Sequence, residues 1–244
     1  MSDNQRVAVV TGGSRGIGRA VAERLGADGQ AVVVGYAGNQ AEAEAAVAAI
    51  EKEGGRAVAV RADIAEPADV ETLFDIAEQR YGGVDVVVNA AGIMILSPLT
   101  ELNLDDLDRM HRTNIRGAFV VSREAARRVR AGGAIINFST SVTRLHLPAY
   151  AAYAASKGAV EAISPILAKE LRGRDITVNA VAPGPTATAL FLDGKSDELI
   201  QQIAGQNPMQ RLGRPEDIAE VVSSLAGPAR WINGQTIFVN GGAA

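Results

Sequence analysis

Tyr153 and Lys157 stand four residues apart in Tyr153-Ala-Ala-Ser-Lys157, a separation that puts both side chains on one face of a helix. A phenol with an ordinary pKa of about 10 moves protons poorly at neutral pH. A neighbouring ammonium group stabilises the phenolate, which makes the pair a candidate acid–base couple. A second pattern lies near the other end of the chain. Gly12, Gly16 and Gly18 fall in Thr11-Gly-Gly-Ser-Arg-Gly-Ile-Gly18, directly after the β-branched run Arg6-Val-Ala-Val-Val10. A glycine turn between a strand and a helix can offer bare backbone N–H groups to a pyrophosphate. Glycine permits positive φ at the bend, and a later glycine lets strand and helix approach closely.

What the chain lacks narrows the chemistry further. The absence of cysteine excludes a disulfide framework, a thiol nucleophile and a cysteine-held zinc or iron–sulfur site. The only two histidines, His111 and His146, are far apart, without the close spacing of a metalloprotease helix. Asp105-Asp106-Leu-Asp108 reads as a capped, solvated helix start, so no metal site is expected. The 24 basic and 28 acidic side chains give a net charge of −4 with no basic run, which argues against a nucleic-acid partner. Arg127-Arg128-Val-Arg130 reads as the last turn of a helix, where cations meet the negative end of the dipole. Met1-Ser-Asp-Asn-Gln-Arg6 has no signal-peptide pattern, and no apolar run approaches the roughly 18 residues of a membrane helix. A cytoplasmic protein without a membrane partner is expected.

The elements that must position Tyr153, Lys157 and the glycines follow from the spacing of apolar residues. Strands are expected at 6–10, 31–36, 57–61, 84–89, 133–138, 176–182 and 236–239. Helices are expected at 19–27, 40–52, 67–81, 104–129, 150–171 and 215–225, with Pro67 in a first turn. Such alternation predicts an α/β fold: one doubly wound parallel sheet of about seven strands, a Rossmann arrangement with helices on both faces. Hydrophobic residues make up 47% of the chain and aromatics only 4%, so the core must be aliphatic, as in buried parallel strands. No linker divides residues 1–244, which predicts a single dinucleotide-binding and catalytic domain. The longest irregular stretch, 184–206, is the candidate lid.

Thr11-Gly-x-x-x-Gly-x-Gly18 differs from the commoner G-x-G-x-x-G spacing and resembles the short-chain dehydrogenase/reductase family. Other marks of that family recur along nearly the whole chain. Asp63 follows the third strand, Asn89-Ala-Ala-Gly92 the fourth, and Tyr153-x-x-x-Lys157 matches the family's signature. Pro183-Gly184 with Thr186 and Thr188 matches the segment that reaches the nicotinamide. The resemblance implies that Gly12, Ser14, Arg15, Gly16, Ile17, Gly18, Asp63, Ile64, Asn89, Ala90, Gly92, Pro183, Gly184, Thr186 and Thr188 bind the dinucleotide together with Tyr153 and Lys157. It further implies that Tyr153 protonates the oxygen of a carbonyl under reduction, that Lys157 also binds the nicotinamide ribose, and that Asn114 supports a water-linked proton path.

The family also uses a hydroxyl to orient the substrate carbonyl. Thr140 lies at the commoner distance of thirteen residues before Tyr153, and members similar to hydroxynaphthalene reductases place a serine one earlier, at Ser139. Pro148 and the Tyr150-Ala-Ala-Tyr153 spacing resemble that branch, so Ser139 is chosen, with Thr140 and Ser141 as alternatives. After the second strand, Val34-Gly-Tyr-Ala-Gly-Asn39 offers no carboxylate for a 2′-hydroxyl, while Arg15 can face a 2′-phosphate. With Tyr36 and Asn39 beside that pocket, NADP (NADPH) is expected. The expected activity is reduction of a ketone to a secondary alcohol. An alcohol dehydrogenase or epimerase of the same family, or a nucleotide sensor that has lost the chemistry, is the alternative. Phe191 and Leu192 could roof an apolar substrate, and ordinary packing explains them equally well. The resemblance also implies a homotetramer or homodimer built on the two long helices.

Overall fold

The computed structural model describes residues 5–244; of the expected signal-free start, Met1 to Asn4 lie outside the described residues. Seven strands, β1 Val7–Thr11, β2 Ala31–Tyr36, β3 Arg56–Arg61, β4 Val84–Asn89, β5 Val129–Phe138, β6 Thr177–Pro183 and β7 Thr236–Val239, form one sheet. Their order is β3-β2-β1-β4-β5-β6-β7, and every pairing is parallel. The sheet is the doubly wound one that the alternation predicts.

Strand side chains alternate between faces, and the aliphatic runs supply both. Val7, Val9, Val87 and Ile135 join α3 Pro67–Tyr81, α5 Gly117–Arg128 and α7 Ala151–Glu170 in one core. Ala8, Val10, Val88 and Ile136 join α1 Gly16–Ala27, α2 Gln40–Lys52 and α10 Pro215–Ala226 in the other. Both faces are therefore dry, which is why these strands read as continuous apolar runs.

The chain reverses its winding direction between β1 and β4, and the carboxyl ends of those strands mark the crevice where ligands bind in such folds. A buried polar brace holds the ends together. Thr11 Oγ1 donates to Asn89 Oδ1 (3.0 Å), and Asn89 Nδ2 donates to Asn137 Oδ1 (3.4 Å). Asn137 Nδ2 donates in turn to Ser164 Oγ on α7 (3.2 Å).

Three expected elements differ from those observed. Residues 104–129 are not one α-helix: α4 Leu104–Met110 passes into a π-helical turn, His111–Arg116, before α5. The wide turn carries Asn114, whose amide is bonded to backbone outside the helix. Arg130 is not in the last helical turn with Arg127 and Arg128. The chain turns extended at Val129, and Arg130 pairs from β5 with Asp85 (2.5 Å). Residues 184–206 are not irregular: after Pro183 they hold α8 Ala189–Leu192 and α9 Asp197–Gln206, capped by Thr188 and Ser196. Two short capped helices do not stand out in a periodicity scan. The remaining helix, α6 Val142–Leu145, follows β5 directly. Among the described residues no helix is long and apolar enough to cross a membrane.

Candidate active site

A cleft of about 700 Å³ opens along the carboxyl edge of the sheet, over the point where the winding reverses. Its floor is the turn between β1 and α1. Gly12 and Gly16 have φ of 66° and 53°. A Cβ on Gly12 would stand 2.8 Å from the Ala91 backbone, and one on Gly18 would stand 2.2 Å from the Gly12 carbonyl oxygen. A side chain at either position would drive apart the elements that form the cradle. Ser14, Arg15 and Ile17 line the cleft with these glycines, and Gly16 faces Thr188 across it.

One end of the cleft is walled by Tyr36 and Asn39 after β2 and by Asp63 and Ile64 after β3. Asn39 also caps α2 through the Glu42 N–H (3.2 Å). Arg15 lines this cleft and forms no ion pair among the described residues. Asp63 has a partner that its sequence neighbourhood gives no hint of: Arg112, from the π-helical turn, donates to Asp63 (2.8 Å) and Glu66 (2.6 Å). Burial alone would raise the Asp63 pKa. The Ala65 N–H and Arg112 outweigh it and hold the carboxyl below its ordinary range.

At the cleft's centre stand Tyr153 and Lys157, one turn apart on α7. Burial pushes the Tyr153 phenol up to about 12, opposed by a hydrogen bond with Thr140. Burial pulls the Lys157 ammonium down to about 8. Its Nζ donates to the Phe138 carbonyl (2.8 Å). A Cβ on Gly92 would lie 3.2 Å from Asn114 Oδ1 and 3.3 Å from Lys157 Nζ; Gly92 and Lys157 line the cleft and Asn114, expected in the proton path, does not. Asn114 is itself buried and fixed. It accepts from the Ile93 N–H (2.9 Å) and donates to the Ile93 carbonyl (2.8 Å) and to Ser156 Oγ (3.0 Å). Ser156 donates to the Tyr153 carbonyl (2.7 Å), which ties the π-helical turn to the catalytic helix.

The third wall, Pro183, Gly184, Thr186 and Thr188, follows β6, and Ala90 follows β4. Gly184 packs so tightly on Asn240 that a Cβ would stand 2.8 Å from its Cα. Met94, Leu145, Leu147, Tyr150, Leu190 and Phe191 make the far half of the cleft apolar. Of the two expected lid residues, Phe191 enters the cleft and Leu192 does not. His146 is exposed outside it, in the left-handed region (φ 51°), at the end of α6.

The profile of a family described as enoyl-(acyl carrier protein) reductase matches residues 12–244. A short-chain type dehydrogenase/reductase of Picea abies is 45% identical, with 97% of this chain and 92% of that protein covered. The chain belongs to the short-chain dehydrogenase/reductase family. It is therefore related to oxidoreductases that act on small molecules. An Arabidopsis thaliana chloroplastic protein named NADPH-dependent aldehyde reductase-like is 44% identical, over 97% of this chain and 93% of its own. The crystal structure of a Burkholderia cenocepacia short chain dehydrogenase in complex with NADP superposes with a TM-score of 0.91 at 39% identity, covering 98% of this chain and 97% of that one.

Two residues of this short-chain dehydrogenase/reductase stand differently from expectation. Asn89 does not line the cleft; it is buried beneath it in the brace of Thr11 and Asn137, at the strand position paired with both. Ser139 touches the cleft, but its hydroxyl donates to Glu161 (2.7 Å), whereas Thr140, which also lines the cleft, is the hydroxyl that lowers the Tyr153 pKa. Ser141 in turn donates to the Ala182 carbonyl (3.2 Å).

Proposed function

We propose that this protein is an NADPH-dependent reductase that converts a ketone to a secondary alcohol with Tyr153 as general acid. The observation that carries the proposal is that Thr140, Tyr153 and Lys157 line one cleft, which continues into a glycine cradle on one side and an apolar recess on the other. Bound in that cradle, the nicotinamide would supply a hydride to the carbonyl carbon. Gly12, Ser14, Gly16, Ile17 and Gly18 would hold the pyrophosphate, with Ala90 and Gly92 beneath the ribose, Asp63 and Ile64 at the adenine, and Thr186 and Thr188 over the far end.

Tyr153 is protonated in the resting protein, because burial raises its pKa, so it is poised to give its proton to the carbonyl oxygen. Thr140 orients that oxygen toward the phenol. Lys157 keeps its proton at neutral pH and favours the phenolate left behind. Asn114 holds the loop after β4 in register with α7. The choice of NADPH rests on Arg15 and on the absence of a carboxylate between Tyr36 and Asn39. The NADP held by the Burkholderia relative and the name of the Arabidopsis one point the same way.

The test is NADPH oxidation against a panel of cyclic ketones, 3-oxoacyl thioesters, quinones and aldehydes, with Tyr153→Phe as control. Turnover of a ketone that Tyr153→Phe loses, while that variant still binds NADPH, is expected. Turnover confined to aldehydes would remove the ketone assignment. Full activity in Tyr153→Phe would remove the mechanism.

A further inference from the structure

Glu161 lies one turn beyond Lys157 on the same side of α7 and does not line the cleft. Its Oε1 accepts from Ser139 Oγ at 2.7 Å and from Thr143 Oγ1 at 2.8 Å, the single Thr143 proton being shared with the Thr140 carbonyl at 2.9 Å. Those hydroxyls bracket Thr140. Ser139 precedes it on leaving β5, and Thr143 lies in α6, whose Val142 and Leu145 line the apolar half of the cleft. One half-buried carboxylate oxygen thus holds both flanks of Thr140, which lines the cleft with Tyr153.

Lys157, also on α7, holds the carbonyl of Phe138 just before the segment (2.8 Å). The Ser139 hydroxyl reaches the Lys157 carbonyl only at 3.5 Å, too long for a strong bond. On the other side Ser141 is tied to β6 and to Asn240, which donates to Ser141 Oγ (3.2 Å). The turn is therefore clamped from two directions, and on α7 it is Glu161 that reaches the side chains on both flanks of Thr140. Glu161 forms no ion pair among the described residues, so its carboxylate is not committed to holding the surface together.

We propose that Glu161 is a positioning residue that sets the distance between the Thr140 hydroxyl and the Tyr153 phenol by holding Ser139 and Thr143 against α7; this rests on the ketone-reductase proposal above. Reacting groups displaced by about 1 Å lose one to two orders of magnitude in rate. Glu161→Ala should therefore lower kcat by about tenfold or more while KM for NADPH changes by less than about twofold. Because both bonds end on one oxygen, Glu161→Gln keeps the acceptor and should retain most of the turnover. A Ser139→Ala/Thr143→Val variant should show the loss of Glu161→Ala, and adding Glu161→Ala to it should cost nothing more.

The measurements are kcat, both KM values and the melting temperature for these variants, with Thr140→Ala alongside. Wild-type kcat in Glu161→Ala overturns the inference, as does a loss that multiplies in the Ser139→Ala/Thr143→Val background. An equal loss in Glu161→Gln, or a fall in cofactor affinity and melting temperature that accounts for the lost turnover, also overturns it. If Glu161→Ala does not fold, Glu161→Gln and the Ser139→Ala/Thr143→Val variant decide alone, and full activity in the latter is fatal. Thr140→Ala separates the two levels: full turnover there removes the role of Thr140, whereas loss there with an active Glu161→Ala removes only the inference.

Discussion

Three consecutive hydroxyls show how finely one residue's position is determined. Ser139 and Ser141 are taken up by Glu161 and by Ala182, which leaves the Thr140 hydroxyl at the cleft as the one that lowers the Tyr153 pKa. Thr140→Ala is expected to lower kcat by about a hundredfold, more than Ser139→Ala does, when turnover of one ketone is compared. Titration at this scale also has a sign. Lys157 binds its proton less tightly when folded, about 8 against an ordinary 10.5, so between those values the unfolded chain holds more protons. The contribution of Lys157 to stability therefore improves as pH rises through that window and is worst below about 8. Tyr153 acts oppositely. Its pKa rises from 10 to about 12, so stability falls across that interval. Denaturation of the cofactor-free protein against pH, compared with Lys157→Met, should lose the gain above pH 8 in the variant; equal slopes would refute the assignment.

At the scale of elements, the glycine cradle exists because β1 and α1 meet without side chains between them. Gly18→Ala sets a Cβ 2.2 Å from the Gly12 oxygen, a clash with backbone that no rotamer relieves. A loss of about 1–3 kcal/mol is expected, with weaker NADPH binding, read by denaturant unfolding and fluorescence titration. The strand end beside it is where the proposed choice of NADPH is tested. Tyr36→Asp would place a carboxylate where a 2′-phosphate is expected, so the ratio of NADPH to NADH efficiencies should fall by at least tenfold, a loss of about 1.4 kcal/mol in discrimination. An unchanged ratio would contradict this pocket. The π-helical turn belongs here as well. It carries Arg112 to Asp63 and Asn114 to Ile93 and Ser156, so one irregular turn is bonded both to the segment after β3 and to α7.

Across the whole molecule, two aliphatic cores hold the sheet, and the crevice sits where helices leave its edge uncovered. Phe119 on α5 and Ile166 on α7 are 55% and 57% exposed, an apolar expense that pairing of two chains through these helices would remove. A dimer or tetramer is the expected result of light scattering, and Phe119→Asp should shift it toward monomer. A wild-type monomer would remove the assembly.

By itself the sequence determined the winding of the sheet, because seven aliphatic runs alternating with amphipathic helices have few ways to bury both faces. It also determined the glycine cradle and the Tyr153–Lys157 pair, since strand-to-turn order and helical spacing are local properties. Only the tertiary structure decided where the Ser139 hydroxyl goes, because the partner that takes it, Glu161, lies 22 positions away. It likewise moved Asn89 from the cleft to the brace beneath it and broke the long helix at Asn114, because both asparagines answer to backbone and side chains brought near by folding. Local pattern specifies the elements; the direction of a single polar side chain depends on which buried partners satisfy it.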